Sequence, residues 1–204
     1  MGPVRIILAS QSPRRRELLG QMGFSFTVRP AKGEELPHPE LTPAQLVEEL
    51  ARQKALEVSA EAASDDVVVA ADTVVAIDGK VLGKPHDKVH AAQMLSALSG
   101  REHTVYTGVA VKRGETLLVE HEATQVRFRP LTEREIDLYI QTGEPMDKAG
   151  SYGIQGYGAL LVEGIRGDYF NVVGLPICRL GRMLAQVGED ALAQCAQKCA
   201  EKER

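Results

Sequence analysis

An aspartate inside an apolar run carries the clearest chemical signal in this sequence. The run Val67–Ile77 is almost unbroken and rich in β-branched residues, which is typical of a strand buried on both faces of a sheet. Asp72 and Thr73 interrupt it, and a buried carboxylate is costly unless a ligand or a partner stabilises it. Asp72 is therefore a candidate for binding a metal ion or accepting a proton, and a capped turn at a strand end is the alternative.

Glu34 and Glu35 lie in a loop upstream of Asp72 and offer further carboxylate oxygens. Oxygen ligands suit a hard cation such as Mg²⁺ or Mn²⁺. Such a cation would bridge phosphate oxygens and lower the pKa of a bound water molecule, while a free carboxylate accepts the proton of that water. Taken singly, each glutamate fits an exposed loop position better than a metal site.

Hydroxyl and guanidinium groups gather where a short strand leads into a helix. The apolar run Val4–Ala9 ends at Ser10, and Pro13 suits the first position of a helix. Arg14 and Arg15 place basic charge at the helix N-terminus, which is unfavourable unless an anion is bound there. A phosphate group fits this turn, although a basic helix start is also typical of a solvated surface.

Lys54 and Lys84 are candidate cations for the remaining phosphate charge, because a triphosphate is more negative than one metal ion can neutralise. Alone, each lysine fits an ordinary surface position, and only a larger pattern favours a role. The sequence contains no G-x-x-x-x-G-K-[ST], H-E-x-x-H or G-x-S-x-G segment. P-loop, zinc-dependent and serine hydrolases are therefore disfavoured.

The composition narrows the class of protein further. With 204 residues, 44% hydrophobic and 25% charged, the chain fits one globular domain. A net charge of -4 argues against a surface for nucleic-acid polymers. Three cysteines suit a reducing compartment, and the first apolar run is too short for a signal peptide or a membrane span. We therefore expect a cytoplasmic protein without a membrane partner.

The elements that must position these residues alternate between strands and helices. The spacing predicts strands over Val4–Ala9, Phe24–Val28, Val67–Ile77, Lys80–Leu82, His103–Val111, Leu117–Phe128 and Leu160–Ile165. It predicts helices from Pro13, over Thr42–Ala60, Lys88–Leu98 and Thr132–Gln141, and over Leu175–Gln186. The glycine-rich segment Gly143–Gly158 has neither period and is typical of a functional loop. We expect one domain over residues 1–187 and a polar, peripheral tail over 188–204.

Several short segments, in order along the chain, resemble the Maf family of nucleoside triphosphate pyrophosphatases. They are Leu8–Arg15, Ala71–Thr73, Gly83–Pro85, Leu98–Arg101, Gly143–Gly150, Tyr152–Gly156 and Val173–Pro176. The resemblance runs from about Ile6 to Leu184. It implies an α/β fold similar to that of inosine triphosphate pyrophosphatases, with an elongated, curved mixed sheet, flanking helices and two lobes around a nucleotide cleft. It also implies a homodimer.

The resemblance assigns roles to individual residues. Asp72 is implied to be the catalytic proton acceptor and, with Glu35, a ligand of a divalent metal cofactor, Mg²⁺ or Mn²⁺. The residues implied to bind substrate are Ser10, Arg14, Arg15, Lys54, Thr73, Lys84 and Gln155.

The same resemblance implies a base preference. The branch that acts on 7-methyl-GTP has Pro-Trp-Arg, Ser-Asp-Gln and a glutamate where this chain has Arg14, Thr73 and Gln155, so the chain resembles the dTTP/UTP branch. A glutamine amide both donates and accepts, which matches the O4 and N3–H edge of thymine or uracil. The expected activity is house-cleaning hydrolysis of dTTP, UTP and modified pyrimidine nucleotides to the monophosphate and pyrophosphate. A nucleotide-binding regulator of cell division with little turnover, and an enzyme for aberrant purine triphosphates, are the alternatives.

Overall fold

Residues 5–33 and 38–202 are described by this computed structural model, and their strands form a mixed sheet. The strands are β1 (Ile6–Leu8), β2 (Phe26–Val28), β3 (Val67–Ile77), β4 (Lys80–Leu82), β5 (Glu102–Arg113), β6 (Thr116–Phe128) and β7 (Val162–Arg166). Their order is β2-β1-β3-β5-β6-β7, with β4 also paired to β3. β1 pairs in parallel with β2 and β3, and the remaining pairs are antiparallel.

Helices flank this sheet on both faces, which confirms the predicted α/β class. They are α1 (Pro13–Gln21), α2 (Pro43–Ser59), α3 (Lys88–Leu98), α4 (Glu133–Gln141), α5 (Tyr169–Val173), α6 (Ile177–Gln186) and α7 (Ala191–Lys202). Ser12 and Thr42 cap α1 and α2, and a proline follows each cap as the first helical residue. The predicted starts of these two helices are therefore confirmed.

On one face of β3, a pair of polar residues separates two apolar clusters. The first cluster packs α1 and α6 against the N-terminal half of the strand, and the second packs α3 and α4 against its C-terminal half. Thr73 and its neighbour Thr107 on β5 lie between them, in register. The opposite face of β3 is covered by α2. Members of both clusters, among them Val173 and Val75, line the cleft that holds the candidate site.

Near the C-terminus the helices differ from those predicted from the sequence. Helix α5 was not predicted, and α6 begins at Ile177 rather than at Leu175. The start of the predicted tail packs against the sheet, because Glu189 is buried and accepts a hydrogen bond from Arg113 at the end of β5. The domain boundary after residue 187 stays a prediction. None of the helices in the described ranges has the length and apolar character needed to cross a membrane.

Candidate active site

A cleft of about 1240 Å³ brings together the residues that the sequence singled out. Each predicted site residue within the described ranges lines it, and they are Ser10, Arg14, Arg15, Lys54, Asp72, Thr73, Lys84 and Gln155. Glu35, the predicted second metal ligand, and its neighbour Glu34 lie outside the described residues. The spatial cluster was predicted from residues that are up to 145 positions apart in the chain, from Ser10 to Gln155.

The cleft opens where β3 has a free edge. β1 pairs with this edge only as far as Val69, and β4 pairs with it only from Val75 onward. Successive side chains of a strand point to opposite faces of a sheet. Asp72 therefore points toward α2, and Thr73 points toward the other face of the sheet. Both residues line the cleft, which extends around the unpaired edge of β3.

Asp72 is held by an ion pair that crosses from α2 to β3. Asp72 is only 9% exposed as a whole residue, and Lys54 donates a hydrogen bond from Nζ to its Oδ1 at 2.5 Å. This partner provides the stabilisation that a buried carboxylate requires. Lys54 is therefore not an ordinary surface residue, whereas Lys84 is exposed at the rim of the cleft.

A glycine allows α2 to approach closely enough to form this pair. Gly108 on β5 lies opposite Asp72 in the sheet. A Cβ atom at Gly108 would lie 2.1 Å from the carbonyl oxygen of Val47 on α2, so any side chain there would push the helix away. Gly108 thus contributes to the site through packing, although it does not line the cleft. The sequence reading did not identify it.

Arg15 joins three separate segments around the cleft. Its Nε donates to the carbonyl oxygen of Gly174 at 2.8 Å, its Nη1 to Ser10 Oγ at 3.2 Å and its Nη2 to Thr73 Oγ1 at 2.9 Å. These contacts hold the loop after β1, the free edge of β3 and the end of α5 together. The guanidinium group therefore positions the cleft walls in this structure, and its role as a phosphate ligand stays a prediction.

Behind Arg15, a chain of buried polar groups continues to α5. Thr73 and Thr107 share a hydrogen bond between their hydroxyl groups at 2.9 Å, and Thr107 also donates to the carbonyl oxygen of Asn171 at 3.0 Å. The Asn171 amide in turn donates to the carbonyl oxygen of Val105 and to Thr124 Oγ1. Asn171 is fully buried, and the sequence reading missed it because an isolated asparagine carries no spacing signal.

Replacing Arg15 with lysine should destabilise the protein by about 1–3 kcal/mol, because a single ammonium group cannot reach three acceptors that a planar guanidinium spans. Urea unfolding measures this free energy. Arg16→Lys is the matched control, since Arg16 lies on the same helix and is exposed. Equal stability of the two variants would contradict the joining role of Arg15.

Two further charged residues, Asp147 and Lys148, line the cleft. Lys148 is 14% exposed and donates from Nζ to the carbonyl oxygen of Glu144 at 2.7 Å and to Asp147 Oδ1 at 2.6 Å. Arg14 approaches the exposed Asp147 from across the cleft, with 3.8 Å between Nη1 and Oδ2. Lys148 adds a cation that was not predicted from the sequence, although it lies in the segment Gly143–Gly150, which carries part of the family resemblance. The lining as a whole suits a polyanion.

The donor groups of the cleft fit a cation that arrives with a phosphorylated ligand. Among the described residues, no group of three or more histidine, cysteine, aspartate or glutamate side chains is arranged to hold a metal ion. Mg²⁺, however, is usually bound through one or two carboxylates together with substrate phosphates. Asp72 is a buried carboxylate in the cleft and meets that requirement. The metal cofactor stays a prediction.

The chain is similar to one family model and to several known proteins. A family model described as Maf-like protein matches residues 5–187. The dTTP/UTP pyrophosphatase of Moorella thermoacetica is 54% identical, with 91% of this chain and 96% of the relative covered. The dTTP/UTP pyrophosphatase of Symbiobacterium thermophilum is also 54% identical, with 90% and 94% covered. Among solved structures, the nucleoside-triphosphatase / dITP/XTP pyrophosphatase of Mycobacterium abscessus aligns with a TM-score of 0.46 and 18% identity, with 90% of this chain and 98% of that chain covered.

Proposed function

This chain belongs to the Maf-like protein family, and we propose that it hydrolyses pyrimidine nucleoside triphosphates, dTTP and UTP above all, to the monophosphate and pyrophosphate. The observation that carries the proposal is the meeting of a buried carboxylate, several cations and a glutamine around one cleft. The names of relatives that are more than half identical supply the substrate class.

The reaction uses the chain's own groups in a defined order. The triphosphate lies against the turn formed by Ser10 and Arg14, where a hydroxyl group and a guanidinium group bind its oxygens. Asp72 accepts a proton from the water that attacks the α-phosphorus. A bond forms between the water oxygen and this phosphorus while the bond to the β-phosphate oxygen breaks, so pyrophosphate leaves.

The cations of the cleft stabilise the charge that moves onto the leaving group. Lys54 contacts Asp72 in this structure and is therefore close to the proposed site of attack. Lys84 at the rim of the cleft extends positive charge along the path of the pyrophosphate. A divalent cation bound with the nucleotide would neutralise phosphate charge and make the attacking water more acidic.

Base recognition is assigned to Gln155, which is half-buried on the cleft wall. Its amide oxygen accepts from N3–H of thymine or uracil, and its amide nitrogen donates to O4. Cytosine and adenine present the reversed pattern, a ring-nitrogen acceptor beside an amino donor, and leave groups unpaired with an amide held in this orientation, which is costly in a partly desolvated site. Guanine and hypoxanthine present the same pair of groups on a larger ring, so the space around the base must reject them. The homodimer and the cytoplasmic location that the sequence implies remain proposals.

Pyrophosphate release from dTTP, UTP, CTP, dGTP, 7-methyl-GTP and inosine triphosphate tests the proposal directly. We expect turnover of dTTP and UTP at least about tenfold above the other nucleotides, because cytosine leaves polar groups unpaired and the purines carry a larger ring. Turnover should require Mg²⁺ or Mn²⁺ and stop in a chelator. Tight nucleotide binding without turnover would contradict the proposal and favour a regulator, and a preference for inosine triphosphate would contradict the substrate class.

A further inference from the structure

The loop that carries Gln155 is held by side chains rather than by strand pairing. The backbone N–H groups of Tyr157 and Gly158 donate to Glu144 Oε2 and Oε1, each at 2.9 Å. The N–H group of Gly153 donates to the hydroxyl oxygen of Tyr139 at 3.2 Å. Gln155 therefore lies between two anchored ends of its loop.

Glu144 and Tyr139 form a single unit. The Tyr139 hydroxyl donates to Glu144 Oε1 at 2.9 Å, so this oxygen accepts two hydrogen bonds and the carboxylate accepts three. Burial raises the pKa of the Tyr139 phenol, which keeps the hydroxyl protonated and able to donate. Tyr139 is buried in the second apolar cluster, and this fixes the position of the unit relative to the sheet.

Glycines allow the loop to wrap around this unit. Gly156 has a φ of 68°, and a Cβ atom there would lie 2.6 Å from Glu144 Oε2. A Cβ atom at Gly158 would lie 2.0 Å from the carbonyl oxygen of Gly153 and 2.8 Å from the Tyr139 hydroxyl oxygen. The glycine density of the segment is therefore explained by the close approach of the unit as well as by the cleft.

The backbone of Glu144 is itself anchored. Its N–H group donates to Thr142 Oγ1 at 3.2 Å, and its carbonyl oxygen accepts from Lys148 Nζ at 2.7 Å. Lys148 also lines the cleft. Glu144 thus connects the wall that faces phosphate charge with the loop that faces the base.

We propose that Glu144 is a positioning residue for base selection, whose carboxylate holds the Gly153–Gly158 loop so that Gln155 presents both of its polar groups to the base. This inference rests on the proposed function and deepens it. A carboxylate is required because its two oxygens serve three donors, whereas an amide offers one oxygen and turns an N–H₂ group toward a backbone N–H group.

Glu144→Gln tests the inference. We expect KM for dTTP and UTP to rise about tenfold and the preference over CTP to fall by a similar factor, because a misplaced Gln155 leaves polar groups unpaired. We expect kcat for dTTP to change less than about threefold, since the groups at the α-phosphorus are untouched. Tyr139→Phe keeps the contacts of Glu144 to Tyr157 and Gly158 and should give a smaller change in KM and base preference in the same direction. This second variant keeps the inference testable if Glu144→Gln folds poorly.

The matched control is Glu135→Gln. Glu135 caps the helix that carries Tyr139, and a glutamine can still form that capping box. This variant should keep the KM and base preference of the parent protein. If the effects came only from a general loss of stability in this region, KM and base preference would change alike in Glu144→Gln, Tyr139→Phe and Glu135→Gln.

Binding of non-hydrolysable α,β-methylene analogues of dTTP and dCTP separates this inference from the proposed function. If the parent protein binds the dTTP analogue preferentially and Glu144→Gln keeps that preference, the positioning role is overturned while the proposed function stands. A parent protein that binds the analogues selectively but hydrolyses nothing overturns the proposed function, and the ratio of the two Kd values still tests Glu144. If neither analogue binds the parent protein, both are overturned.

Discussion

Asp72→Asn is expected to reduce the kcat for pyrophosphate release from dTTP by about 1000-fold, within the range that loss of a general base produces. The asparagine amide cannot accept the proton of the attacking water, and it is a weaker ligand for a hard cation. The side chain has nearly the same shape, so the apolar surroundings on β3 are retained. The measurement is kcat under saturating dTTP with Mg²⁺.

The fold should survive this substitution at a modest cost. Lys54 would lose its charged partner, and we expect the free energy of unfolding to fall by about 1–3 kcal/mol. Both side chains keep some solvent contact, with 20% of Lys54 and 13% of Asp72 exposed, which limits the loss. Thermal or urea unfolding alongside the assay separates this structural effect from the catalytic one.

Asp66→Asn is the control that the chain itself offers. Asp66 precedes the same strand, is also 9% exposed and accepts a hydrogen bond from Arg5 Nη2 at 2.5 Å, but it does not line the cleft. Its replacement should lower stability and leave kcat unchanged. Near-normal turnover in Asp72→Asn, or an equal loss in both variants, would be incompatible with the role assigned to Asp72.

The main elements were predictable because their signals are local. The bounds of β3, β4 and α3 agree with the sequence reading, since an apolar run, a two-residue turn and a helical period each define their own limits. Helix α5 was missed because its 5 residues are too few to show a period. It is formed by its cap, in which Asp168 accepts from the N–H group of Phe170, and by packing of the buried Asn171.

The membership of the cleft was also predictable, but the arrangement within it was not. Residue types indicated that Arg15 and Lys54 belong with phosphate. The structure shows that Arg15 donates three hydrogen bonds to other groups of the protein and that Lys54 forms an ion pair with Asp72. Such pairings depend on distances between elements, which no spacing along one element contains. A glycine inside a strand, Gly108, was the available signal for a close backbone approach.

Gln155→Glu is expected to lower kcat/KM for dTTP by about 100-fold, because the carboxylate can accept from N3–H but repels O4, which then lacks a donor. The same variant should gain activity toward dGTP, whose N1–H and N2–H₂ groups both donate to a carboxylate. Gln125→Glu adds the same charge outside the cleft, where Gln125 contacts Arg166, and should leave base preference unchanged. An unchanged ratio of dTTP to dGTP turnover in Gln155→Glu would mean that another group reads the base, and the cleft wall around Gln155 would lose its assigned role.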